Sequence, residues 1–168
     1  MMDIALSRIT DQSIQLELNT AQLYFLFHRV FPEHKAFWWA LHIEENNHAA
    51  LIRSAREHFT PTGRFPTDLL SSRLRELEET NANILALTGK YQRTPPTEED
   101  AFNAALGLEA SIGEIHFQQF MDKEEGSSLH KIFQRLNRDD KNHALRIRAY
   151  MDRHGIPVRE DGLSSGPG

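Results

Sequence analysis

One spacing pattern occurs twice in this chain, and it restricts the fold more than any other feature. The first copy holds Glu17, then Tyr24 and Phe25, then Glu45-Asn46-Asn47-His48 followed by Ala49-Ala50-Leu51-Ile52-Arg53. The second holds Glu109, then His116 and Phe117, then Asp140-Lys141-Asn142-His143 followed by Ala144-Leu145-Arg146-Ile147-Arg148. Glu17 and Glu109 are 92 residues apart, as are Tyr24 and His116; Glu45 and Asp140, like His48 and His143, are 95 apart. Two similar helical hairpins satisfy both offsets if the second turn carries three additional residues.

Apolar residues recur at helical spacing in four long segments, and no strand-like alternation interrupts them. The first runs from about Asp11 to Val30 and stops near Pro32; the second runs from about His34 to His58, before Pro61 and Gly63. The third opens after Pro95-Pro96, with Thr97 as N-cap and Glu98, Glu99 and Asp100 in a first turn that suits carboxylates. It is expected to end near Asp122. Ser127 or Ser128 can cap the fourth helix, which Gly155 and Pro157 terminate just past His154. Thr60 to Thr97 is too long for a bare loop. Leu70, Leu74, Leu77, Ile84 and Leu85 predict an amphipathic helix there, from about Asp68 to Leu87. The reading is an all-α chain: a four-helix bundle with a long, partly helical crossover between helices 2 and 3. Residues 8–154 form one domain, and 155–168 a tail that is polar, glycine-rich and disordered from Asp161 onward.

The repeated acids sit inside apolar stripes. Glu45 and His48 lie one turn apart on the stripe Trp38, Leu41, Glu45, His48, Ile52. Asp140 and His143 share the stripe Phe133, Leu136, Ile147, Met151; Glu109 follows Phe102 and Leu106; Glu17 sits with Ile14, Ala21 and Tyr24. A buried ionised carboxylate without a partner costs several kcal/mol or takes up a proton. No Lys or Arg shares these stripes near the acids, so two divalent cations are the fitting counter-charge. Oxygen donors mixed with imidazole nitrogen suit iron, manganese or zinc better than magnesium or calcium. With 24 acids and 9 histidines in 168 residues, about one acid-x-x-His match arises by chance. Two occur here, both in mid-stripe, and each has a Glu one helix earlier.

On these residues the chain resembles the ferritin-like di-iron carboxylate proteins, near the rubrerythrin and bacterioferritin branches, from about residue 8 to 154. The resemblance implies a ferritin-like bundle whose metal ligands are Glu17, Glu45, His48, Glu109, Asp140 and His143. Glu45 and Asp140 would bridge two iron ions and carry the catalysis, Glu17 and Glu109 would be terminal ligands, and each His would bind one metal. Manganese or zinc can replace iron in such a set. Asp140 stands where the family has Glu, and Ile112 where rubrerythrins have a further carboxylate. The chain has no cysteine for a second, thiolate-ligated iron domain, so the ligand set is closer to bacterioferritin.

The implied activity is that of a di-iron oxidoreductase of peroxidase or ferroxidase type, acting on hydrogen peroxide or dioxygen with an external electron donor. Iron handling or storage, and non-catalytic metal binding, use the same ligands. A net charge of −5 argues against a nucleic-acid partner. No apolar run approaches the roughly 20 residues of a membrane span, and no secretory leader is evident, so a cytoplasmic homodimer is expected. Tyr24 and His116 are read as packing or as hydrogen-bond partners of the ligands, in preference to direct metal ligation by His116. Glu44, Asp139 and Glu114 are expected in solvent; His28, His34, His42, His58, His130 and His154 on the surface or at caps. Of the two tryptophans, Trp38 and Trp39, one should point inward and the other toward the crossover or a second subunit.

Overall fold

The computed structural model describes residues 4–59, 61, 63, 73–111 and 142–159. Among them every regular element is helical. In chain order these are α1 (Ile4–Val30), a 3₁₀ turn (Pro32–His34), α2 (Lys35–Phe59), α3 (Leu74–Arg93), α4 (Glu98–Glu109) and α5 (His143–His154). None of these helices is long and apolar enough to cross a membrane.

Local chemistry sets the helix ends. Phe31, held extended by the following proline, donates its N–H to Phe27 O at 2.9 Å and closes α1. Pro32 then opens the 3₁₀ turn, where its missing N–H costs nothing. Thr97 caps α4 as expected, its hydroxyl accepting from the Asp100 N–H at 3.1 Å. Gly155 adopts the left-handed conformation (φ 67°) that ends α5, and Ile156 N–H reaches Met151 O.

α1 is the central element, packed along α2 on one side and α3 on another, while α4 packs with α5. Trp38, Tyr24, Phe27 and Phe102 are fully buried in a core that also takes Leu41, Ile147 and Met151. Trp38 is the inward tryptophan; Trp39 is 45% exposed.

The crossover segment does contain a helix, shifted from its expected span. α3 buries Leu77, Asn81, Ile84, Thr88 and Tyr91, alternately four and three residues apart, and leaves Leu85 58% exposed. Its phase is set by pairing with α1. Leu77 and Ile84 pack on Leu16. Between them Asn81 donates to Gln12 O and Oε1 and accepts from Asn19 Nδ2 at 2.9 Å. Those bonds offset the cost of burying an amide.

Two boundaries differ from expectation. α4 stops at Glu109, where Ser111 N–H takes Leu108 O at 2.8 Å in a tightened last turn. α5 starts at His143, with Asn142 as a left-handed N-cap (φ 71°) accepting from Leu145 N–H. Asp140, His116, Glu114, Asp139, His130 and the proposed Ser127/Ser128 cap lie outside the described residues, as does the tail from Glu160. Before that point the chain folds back: Ile156 is buried, and Arg159 pairs with Glu99 and Asp100 at 2.6 and 2.7 Å.

Candidate metal centre

Four helices deliver the repeated side chains to one buried place. Glu17 comes from the middle of α1, and Glu45 and His48 come from one face of α2. Glu109 is the last residue of α4, and His143 the first of α5. All five are buried, none more than 7% exposed. The stripe argument anticipates this burial for each of them. It places Glu109 and His143 within continuous helices, however, whereas the structure sets both at helix ends.

The five groups form two triads that share Glu45. In one, His48 Nδ1 lies 3.2 Å from Glu45 Oε2 and 3.4 Å from Glu17 Oε2. In the other, His143 Nδ1 lies 2.7 Å from Glu45 Oε1 and 3.5 Å from Glu109 Oε2. Within each triad the donor atoms lie within 4.8 Å of one another, a spacing that can hold a metal ion. The two imidazoles face each other, ring centroids 5.3 Å apart and planes 14° from parallel.

These short distances are not aligned hydrogen bonds. Glu17 Oε2, both Glu45 oxygens and both His143 nitrogens are buried without a hydrogen-bond partner. No lysine or arginine among the described residues pairs with Glu17, Glu45 or Glu109. Such orphaned donors and acceptors are costly in a dry core. Ligand atoms gathered within 4.8 Å of one another are what a coordinated cation satisfies. Three carboxylates and two imidazoles therefore fit a pair of borderline divalent ions.

Without a cation, protons supply the compensation. Burial, with the Glu45 charge adding and His48 opposing, pushes Glu17 up to about 8. Burial and Glu45 also raise Glu109. Burial disfavours a charged His48, but Glu17 and Glu45 outweigh it and raise the ring to about 10. His143 is raised well above its ordinary value against the same penalty, chiefly by Glu45. For Glu45, burial is overcome by His143 and then His48, which hold its carboxyl below the usual range. The pentad thus centres on Glu45, whose negative charge favours protons on both rings, flanked by two carboxyls whose burial favours their protonated forms.

No family model, curated protein or solved structure matches this chain. The functional reading accordingly rests on these side chains alone.

Two further groups complete the surroundings, and a third lies apart. The Tyr24 hydroxyl donates to Glu109 Oε1, so this residue is a hydrogen-bond partner of the cluster as well as a core aromatic. Glu44 is half-buried rather than solvated. Its Oε2 lies 2.8 Å from His143 Nε2 and accepts from Arg146 at 2.5 Å. Although burial opposes it, His143 and then Arg146 hold Glu44 below the ordinary carboxylate range. The 100° rotation from Glu45 argues for exposure, but α5 approaches that flank of α2, and no local signal announces it. His34 is likewise buried instead of superficial, bonded to Glu98 and, at 3.0 Å, to the Tyr150 hydroxyl.

Proposed function

We propose that the chain binds two transition-metal ions, iron foremost, one on each side of Glu45, and reduces hydrogen peroxide or dioxygen as a di-iron oxidoreductase. The observation that carries this reading is the sharing of one fully buried carboxylate by two acid–acid–imidazole triads. Glu17 and His48 would hold one ion, Glu109 and His143 the other, and Glu45 would reach both. Asp140, one helical turn before His143 in sequence, is assigned as the second shared carboxylate by the internal repeat. Ligands drawn from α1, α2, α4 and α5, with α3 as crossover, support a ferritin-like bundle.

Bound there, a pair of redox-active ions would supply the two electrons that cleave the O–O bond of one peroxide. The chain's own groups hold the ligand geometry. Tyr24 engages Glu109 Oε1 and leaves Oε2 toward His143. Glu44 lies at His143 Nε2 and leaves Nδ1 toward Glu45. With a metal on Nδ1, an N–H at Nε2 aligned on Glu44 would orient the ring and raise its basicity. The five ligand side chains are themselves buried, none more than 7% exposed, so bulk water has little access to them.

The test is stopped-flow absorbance on protein loaded anaerobically with two Fe(II) per chain. Peroxide or oxygen should be consumed faster than by free Fe(II), and Glu45→Ala and Asp140→Ala should abolish the acceleration. Equal rates for wild type, both variants and free iron would refute catalysis. A tightly held, redox-inert ion would assign the cluster to structure instead.

A further inference from the structure

A second cavity lies outside the pentad, where the 3₁₀ turn and the start of α2 meet the last turns of α5. It is a depression of about 420 Å³, open to solvent on one side and lined by Glu33, His34, Phe37, Arg146, Tyr150 and Arg153, among others. That volume falls within the range of small-molecule pockets.

Its walls are prebuilt. Phe37 and Tyr150 stack with centroids 4.0 Å apart and planes 21° from parallel. Buried His34 bonds the Tyr150 hydroxyl at 3.0 Å and is itself held by Glu98, which fixes the ring pair from behind. Ala36 and Ala149 are the small side chains of the lining, and they leave the room that larger residues would fill.

The cations at the two ends differ. Arg146 is already committed to Glu44 at 2.5 Å. Arg153 forms no ion pair with a described residue; its guanidinium sits over the Tyr150 ring, 5.8 Å from the centroid, and Nε donates to Ala149 O. One uncommitted guanidinium beside an aromatic wall matches one negative charge on an apolar body. The Glu33 carboxylate disfavours a second negative charge in the same space.

We propose that this pocket binds a small aromatic monocarboxylate, its carboxylate on Arg153 and its ring against Phe37, whose own stack on Tyr150 is backed by His154 on the far face of that ring. A guanidinium takes a carboxylate in a two-pronged hydrogen bond that a neutral alcohol cannot replace.

Isothermal titration of the full chain with benzoate tests this, with benzyl alcohol and inorganic phosphate as comparison ligands. Benzoate should bind saturably, and more tightly than either comparison. Arg153→Gln should weaken it roughly tenfold or more, the loss expected for one charge-assisted contact. Ala149→Leu should block it by filling space along the lining. Arg148→Gln, which changes the charge equally on the same helix outside the lining, should leave it unaltered. Ala149 and Arg153 are both exposed, and circular dichroism would verify that each variant keeps its helices. The proposal is overturned by absence of saturable benzoate binding, by equal affinity in Arg153→Gln and Ala149→Leu, or by phosphate binding as tightly as benzoate.

Discussion

Filling the pentad with metal should expel protons, and the number follows from the structure. At pH 7 a Glu17 carboxyl raised to about 8 carries about 0.9 of a proton. His48, raised to about 10, carries essentially one, and His143, raised by Glu45, carries up to one more. Glu45 carries none, because the two rings hold it ionised. Metal ligation requires neutral imidazole and ionised carboxylate. Occupation of both positions at pH 7 therefore releases about two protons from Glu17 and His48, and up to one more from each of the raised His143 and Glu109. The sign is fixed: protons compete with metal, so affinity rises with pH. The combined constant should climb at least about a hundredfold per pH unit near neutrality, and at least about tenfold per unit once Glu17 has ionised above about pH 8. Calorimetric titration with Mn(II), in buffers of different ionisation enthalpy, gives the proton count as the slope of observed heat against buffer enthalpy. Glu17→Gln should lower that count by about one. A slope near zero would refute the reasoning, as would one that Glu17→Gln leaves unchanged or an affinity that falls as pH rises.

Other outcomes follow from the same geometry. His48→Ala and His143→Ala should each reduce the metal-to-protein ratio from two toward one while circular dichroism stays helical; unchanged ratios in both would show that neither ring is a ligand. Tyr24→Phe removes the bond to a buried carboxyl and should destabilise the metal-free protein by about 1–3 kcal/mol in denaturant melts. It should also weaken binding on the Glu109/His143 side, because the lost donor favoured ionised Glu109; a variant unchanged in both properties would contradict the role given to Tyr24.

Where local chemistry decides, the chain is readable in advance. Pro32, Thr97 and Gly155 mark boundaries because each acts on its own backbone: a fixed φ, a side-chain acceptor, a left-handed turn. The pentad is readable because five ionisable groups interrupt apolar stripes at repeated offsets. Partner-dependent features are not. Apolar periodicity alone assigns Leu85 to the buried face of α3, yet Asn81 and Thr88 are buried instead, because Gln12 and Asn19 on α1 meet the amide of Asn81. Glu44 looks solvated from its angle on α2 until Arg146 and His143 arrive from α5. The stop at Glu109 has no proline or glycine at the following position to announce it.

The central claim is that Glu45 lies between two metal ions, and anomalous diffraction tests it most directly. Crystals grown with Mn(II) or anaerobic Fe(II), measured on both sides of the metal absorption edge, should show two anomalous peaks. One should lie against Glu17, Glu45 and His48, the other against Glu45, Glu109 and His143, with ligand distances of about 2.0–2.3 Å. Crystals of metal-loaded protein with no peak at the pentad, or with peaks only elsewhere on the chain, would contradict the account.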